Sequence, residues 1–109
     1  MSFNVKSIDV FEKQAKRLIR KFPSLKIEIL ELIQKLKDTP EMGVHIGKNC
    51  YKIRVSIASK GKVKRRGARG ITNFVISETT VYLLSIYDKT ESDTLTDKEI
   101  AELLLYIPE

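Results

Sequence analysis

The residues whose types and spacing suit chemistry in this chain are cationic. The run Lys60-Gly61-Lys62-Val63-Lys64-Arg65-Arg66-Gly67-Ala68-Arg69 is the densest stretch of charge, and no acid interrupts it. Like charges at such spacing repel one another in a free loop, whereas bound phosphates relieve the repulsion and release counterions. The run therefore reads as a phosphate-binding loop, made supple by Gly61, Gly67 and Gly70. Lys52 and Arg54 precede it, alternating with Tyr51, Ile53 and Val55, so they share one face of a strand that leads into the loop. Arg69 opens the segment after the loop, and Lys89 follows the next apolar run, where it can close the cluster. Taken alone, Lys52 reads equally well as an ordinary surface cation.

What is missing narrows the chemistry. Metal-independent ribonucleases commonly move protons with a histidine pair, or with histidine and glutamate. The only histidine here is His45, in a Gly-flanked segment that reads as a turn. Cys50, the only cysteine, reads as a small buried hydrophobe at the head of a strand, and by itself it supports neither an intrachain disulfide nor a cysteine-based zinc site. Asp88, Glu91, Asp93 and Asp97 form an acidic run that capping and solvation of a loop explain without magnesium. No P-loop or dinucleotide fingerprint is present, so neither metal nor cofactor is expected.

Elements that would carry these residues follow from periodicity. Phe3 to Ile8 alternates like a short strand. Asp9, with Glu12 three residues on, would cap a helix with the stripe Phe11, Ala15, Leu18, Ile19 and Phe22. Its other face carries Lys13, Lys16, Arg17, Arg20 and Lys21. Pro23 stops that helix, and Ser24 would cap a second whose stripe is Leu25, Ile29, Leu32, Ile33 and Leu36, the two forming a hairpin. Ile27 and Leu30 lie off the stripe, which predicts that the second helix buries a wider face and lies between the first helix and a sheet. Three strands follow, from Cys50, over Ala68 to Ile76, and over Val81 to Tyr87; near-continuous apolarity marks the last as central. Thr96-Asp97-Lys98-Glu99 is a capping box that opens a short final helix with Ile100, Leu103, Leu104 and Ile107. The predicted class is α+β, in which an N-terminal strand and helical hairpin cover a small, mainly antiparallel sheet.

The whole chain, 109 residues, fits one domain spanning 1–109. Its net charge of +6 favours a polyanionic partner such as nucleic acid. Neither a signal-peptide h-region nor an apolar stretch of about 20 residues is visible, so a reducing cytoplasm, with no membrane, is the expected setting.

The order of these elements, together with Cys50-Tyr51-Lys52-Ile53-Arg54, Lys60-Gly61-Lys62, Gly67-Ala68-Arg69 and Val81-Tyr82-Leu83-Leu84-Ser85-Ile86-Tyr87-Asp88-Lys89, resembles the RelE/HigB-like toxins of the RelE/ParE superfamily, from about Phe11 to Leu104. The resemblance implies the toxin of a type II toxin–antitoxin system, an endoribonuclease that enters the ribosomal A site, cleaves messenger RNA and is silenced by a cognate antitoxin. Operator DNA would be reached only through the antitoxin complex. It also implies chemistry without metal, in which a ribose 2′-hydroxyl attacks the adjacent phosphate. Lys60 or Lys62 would be the base, because crowded cations bind their protons less tightly. Arg54 and Arg69 would stabilise the pentavalent phosphate, and Lys89 would assist that charge or protonate the leaving oxygen. Lys52, Lys64, Arg65 and Arg66, with Lys13, Lys16, Arg17 and Arg20, would dock on RNA phosphates. Tyr87 would either stack on a base or sit in the core. Relatives usually carry Ser-Gly before the Ala-Arg element and a β-branched residue after it; here Arg65-Arg66-Gly67 precedes it and Gly70, a weak strand former, follows. Three other readings stay open: a ParE-like gyrase inhibitor, a degenerate toxin that only binds its antitoxin, and a generic RNA-binding domain, against which cleavage only in the presence of ribosomes would argue.

Overall fold

A computed structural model describes residues 2–57, 67–91 and 94–108. In chain order they form β1 (Asn4–Ser7), α1 (Asp9–Lys21), α2 (Leu25–Asp38), β2 (Val44–Gly47), β3 (Cys50–Val55), β4 (Ala68–Val75), a 3-10 turn (Ile76–Glu78), β5 (Thr80–Asp88) and α3 (Asp97–Leu104). The strands make one sheet in the order β1-β5-β4-β3-β2, parallel only between β1 and β5. This is the α+β class expected from the sequence. No helix among the described residues is long and apolar enough to cross a membrane.

β5 lies inside the sheet between β1 and β4, and all 9 of its residues are buried, which accounts for its continuous apolar sequence. β3 alternates as its sequence does, with Ile53 and Val55 in the core and Arg54 exposed. Between Ile71 and Thr72 the β4–β5 register slips, so Ile71 faces Ser85, Thr72 faces Leu83 and Leu84 is the extra residue of a bulge. β1 pairs with β5 only as far as Ser7 opposite Leu83, leaving the rest of that edge uncovered by strand. α1 takes over there. Gln14 Oε1 accepts the Ile86 N–H at 3.0 Å and the Ser85 hydroxyl at 3.0 Å. Gln14→Ala strands a buried donor beside the bulge and is expected to cost about 1–3 kcal/mol, read as a lower midpoint in urea unfolding.

Four expectations are corrected. Ile27 and Leu30 are 62% and 55% exposed, so α2 buries one stripe, Leu25, Ile29, Leu32 and Leu36, and no wider face. The helix that lies along β5 is α1, through Phe11, Ala15 and Leu18. Asp9 is not the cap of α1: Ile8 holds that position, and Asp9 sits with Glu12 in the first turn, where negative charge still favours the helix dipole. His45 is not in a turn but on β2, opposite Tyr51. The sequence hides this hairpin because its two-residue connection is Lys48-Asn49, both with positive φ, where Asn-Gly would be the usual signal. Asn73 stabilises the connection from β4, its amide donating to Lys48 O at 3.0 Å and Asn49 O at 3.3 Å. The capping box of α3 forms as expected, Thr96 and Glu99 each bonding the other's backbone N–H.

Candidate phosphate site

Cross-strand register builds the site. Arg54 on β3 stands directly opposite Arg69 on β4, and Arg69 stands opposite Tyr87 on β5. Two residues before Arg54 on the same side is Lys52, half-buried and opposite Ile71. Two residues beyond Tyr87, the Lys89 N–H donates to Gly67 O at 3.2 Å, which carries the ladder past the end of β5. Lys89 itself is exposed. Of the predicted site residues, Arg54, Arg69 and Lys89 therefore lie toward one end of three adjacent strands, with Lys52 two residues back along β3.

A pair of arginines facing each other across strands is destabilising by itself. Arg69 makes the conflict sharper: it is 5% exposed, and its one hydrogen bond among the described residues is Nη1 to Ala68 O at 3.2 Å. Guanidinium groups removed from water are normally paired. Yet the one ion pair among the described residues joins Arg17 to Glu91, at 3.2 Å, and involves none of these four cations. Such an arrangement gains stability when an anion enters, and two guanidinium forks suit the paired oxygens of a phosphate.

The remaining predicted residues divide. Lys60, Lys62, Lys64, Arg65 and Arg66 lie outside the described residues. Lys13, Lys16, Arg17 and Arg20 are exposed on α1, and the Arg17–Glu91 bond brings that helix face to the turn that carries Lys89. Of the two readings of Tyr87, the core one is observed, since it is 7% exposed beside Arg69 and offers little ring to a base.

Sequence reasoning missed the supports of the site. Asp88 was read as part of a solvated acidic run, but it is buried at the end of β5 and accepts the Thr90 N–H at 3.1 Å. Glu28 on α2 accepts the Ser56 hydroxyl at 3.1 Å and the Ser24 hydroxyl at 3.2 Å, tying the exit of β3 to the second helix. Beside it a shallow pocket of about 100 Å³, lined by Glu28, Glu31, Lys35 and Arg54 among others, opens next to the arginine pair. The Glu28–Ser56 bond has no local signature, because its partners lie 28 residues apart, and the burial of Asp88 is set by the strands around it.

Among the described residues there is no cluster of three or more histidine, cysteine or acidic side chains that could hold a metal ion. Cys50 is fully buried, and burial pushes its thiol above the ordinary value against the smaller opposing effects of the Asn73 hydrogen bond and Lys48. Thiolate is therefore scarce at neutral pH. Cys50 is expected to react with a thiol reagent such as dithionitrobenzoate only when the protein is unfolded; rapid labelling of native protein would contradict its placement.

No family model matches the sequence. Solved structures do match in fold. The isolated E. coli RelE toxin aligns with a TM-score of 0.61 over 97% of this chain and 100% of its own, at 10% identity. A double arginine-to-alanine mutant of E. coli RelE in the free state gives 0.60 over 99% and 100%, at 14% identity. The intact E. coli RelBE toxin–antitoxin complex gives 0.50 over 80% and 96%, at 14% identity. At these identities the likeness is one of fold.

Proposed function

We infer that this chain, which has the fold of the RelE toxins, is the toxin of a toxin–antitoxin pair and cleaves messenger RNA on the ribosome. The observation that carries this reading is the Arg54–Arg69 pair, two arginines at facing positions of adjacent strands that form no ion pair with a carboxylate of the described residues. The fold match over nearly the whole chain, and the existence of a solved RelBE toxin–antitoxin complex with this fold, support a protein antitoxin as the partner.

On this reading the two arginines grip the non-bridging oxygens of the scissile phosphate and stabilise the charge that grows on them in the pentavalent state. The 2′-hydroxyl on the 5′ side attacks phosphorus, and its proton passes to a base, for which Lys60 and Lys62 are the candidates. The bond from phosphorus to the 5′-oxygen of the next nucleotide breaks, and Lys89 gives that oxygen a proton. A 2′,3′-cyclic phosphate and a 5′-hydroxyl result. Lys52 and the α1 cations Lys13, Lys16, Arg17 and Arg20 contact RNA phosphates, as would Lys64, Arg65 and Arg66, fixing orientation without reading sequence.

The test is to induce the protein in a bacterial host lacking its antitoxin and to map new 5′ ends on translated messages by primer extension. Cuts inside reading frames that vanish when the start codon is removed support the reading. Growth arrest without such cuts would turn attention to gyrase, and unimpaired growth to a toxin that only binds its antitoxin; either result overturns the ribonuclease.

A further inference from the structure

We propose that Asp88 is the positioning residue for Lys89, holding it against the Arg54–Arg69 pair; this rests on the phosphate site described above. Asp88 closes β5 opposite Ala68 and is 1% exposed, an uncommon place for a carboxylate. Its Oδ1 accepts the Thr90 N–H at 3.1 Å, an Asx turn, while its backbone carbonyl accepts the Glu91 N–H at 2.9 Å. The chain from 88 to 91 is thus wound tightly at the point where Lys89 projects.

Both ends of this turn are fastened. On one side the Lys89 N–H bonds Gly67 O, and Gly67 itself is lodged so closely that an added Cβ would stand 2.3 Å from Val55 O. On the other side Glu91 bonds Arg17 of α1. The Arg17–Glu91 bridge is exposed at both partners and contributes little alone. The buried Asp88 carboxylate is the element that fixes the turn, and with it the position of Lys89 one ladder step beyond Arg69.

A carboxylate beside a cationic cluster has an alternative role, the purely electrostatic one of balancing charge. Asparagine separates the two, since its side-chain oxygen makes the same Asx turn without the charge. Wild type, Asp88→Asn, Asp88→Ala and Lys89→Ala are compared in single-turnover cleavage of messenger RNA on programmed ribosomes. Asp88→Asn is expected to stay within about 3-fold of wild type. Asp88→Ala is expected to lose about 100-fold in the cleavage step, as a misplaced catalytic group does, with the half-saturating concentration little changed. The double variant Asp88→Ala, Lys89→Ala should be no slower than the slower single variant, because the two residues act as one unit.

Amide hydrogen exchange at Lys89 and Thr90 is read in parallel and needs no catalysis. Asp88→Ala should accelerate exchange at both amides at least about 10-fold, the local opening expected when a turn loses its tie, and Asp88→Asn should not. Asp88→Ser, which keeps a weaker acceptor, replaces the alanine variant should that one fail to fold. Asparagine as impaired as alanine, or unchanged exchange in the alanine variant, overturns the positioning role. A wild type that does not cleave, with exchange behaving as stated, removes the ribonuclease reading while leaving the positional role of Asp88 intact.

Discussion

Arg69→Ala is expected to abolish growth arrest on induction while leaving the sheet folded and antitoxin binding in place. Removing one preorganised donor to a developing oxyanion typically costs about 100- to 1,000-fold in rate, and Arg69 is the buried, better-fixed member of the arginine pair. Stability should change little. The substitution loses the packing of the long side chain, but it also ends a like-charge pairing across β3 and β4 and removes a buried guanidinium that makes a single hydrogen bond among the described residues. Arg69→Lys keeps the charge without the planar fork and is expected to restore only part of the activity. Growth inhibition at wild-type level by Arg69→Ala, with the protein accumulating normally, would remove Arg69 from the site.

Gly67→Ala is expected to produce a large loss of stability for so small a change. The added Cβ would lie 2.3 Å from Val55 O and 3.1 Å from Ser56 Cα, backbone atoms that cannot rotate away. β3 must separate from the start of β4, a strain of about 1–3 kcal/mol or more. The cost is also functional, since Gly67 O receives the Lys89 N–H and the separating strands carry Arg54 and Arg69. Gly70 supplies the control within the same strand. A Cβ there meets Val55 Cγ2 only at 3.9 Å and Ser85 O at 4.0 Å, ordinary contacts, so Gly70→Ala should match or slightly exceed wild-type stability. Thermal unfolding of the two variants side by side decides the matter: equal melting temperatures for Gly67→Ala and wild type would contradict the close approach.

Where the fold was legible, a local rule and a tertiary outcome agreed. The alternation of Tyr51 to Ile57, the apolar run of β5 and the Thr96–Glu99 box each state their structure within a few residues. β2 escaped notice because four short residues with an exposed pattern carry no periodicity and because its Lys48-Asn49 turn is held from outside, by Asn73. The role given to α2 failed for a related reason. Ile27 and Leu30 look like core residues by type, but helical spacing puts them off the stripe, and exposed apolar side chains are common on folded proteins.

The site divides along the same line. Charge density and alternation were enough to single out Lys52, Arg54, Arg69 and Lys89, yet the fact that Arg54 faces Arg69 is a matter of register, which local sequence does not show. Asp88 was read from its acidic neighbours as solvated; its burial follows from being the last residue of a central strand. The Gln14–Ser85 and Glu28–Ser56 bonds, whose partners lie far apart along the chain, left no trace in local pattern.

The most direct measurement uses purified components: wild type, Arg54→Ala and Arg69→Ala incubated with a defined messenger RNA, with and without ribosomes programmed by it, and the products resolved by gel. Wild type is expected to cleave only when ribosomes are present and to leave 5′-hydroxyl ends on the downstream fragments, and each arginine variant is expected to lose about 100-fold or more. Intact message under every condition with a wild type that is folded, or cleavage that persists in both arginine variants, would contradict the ribonuclease reading.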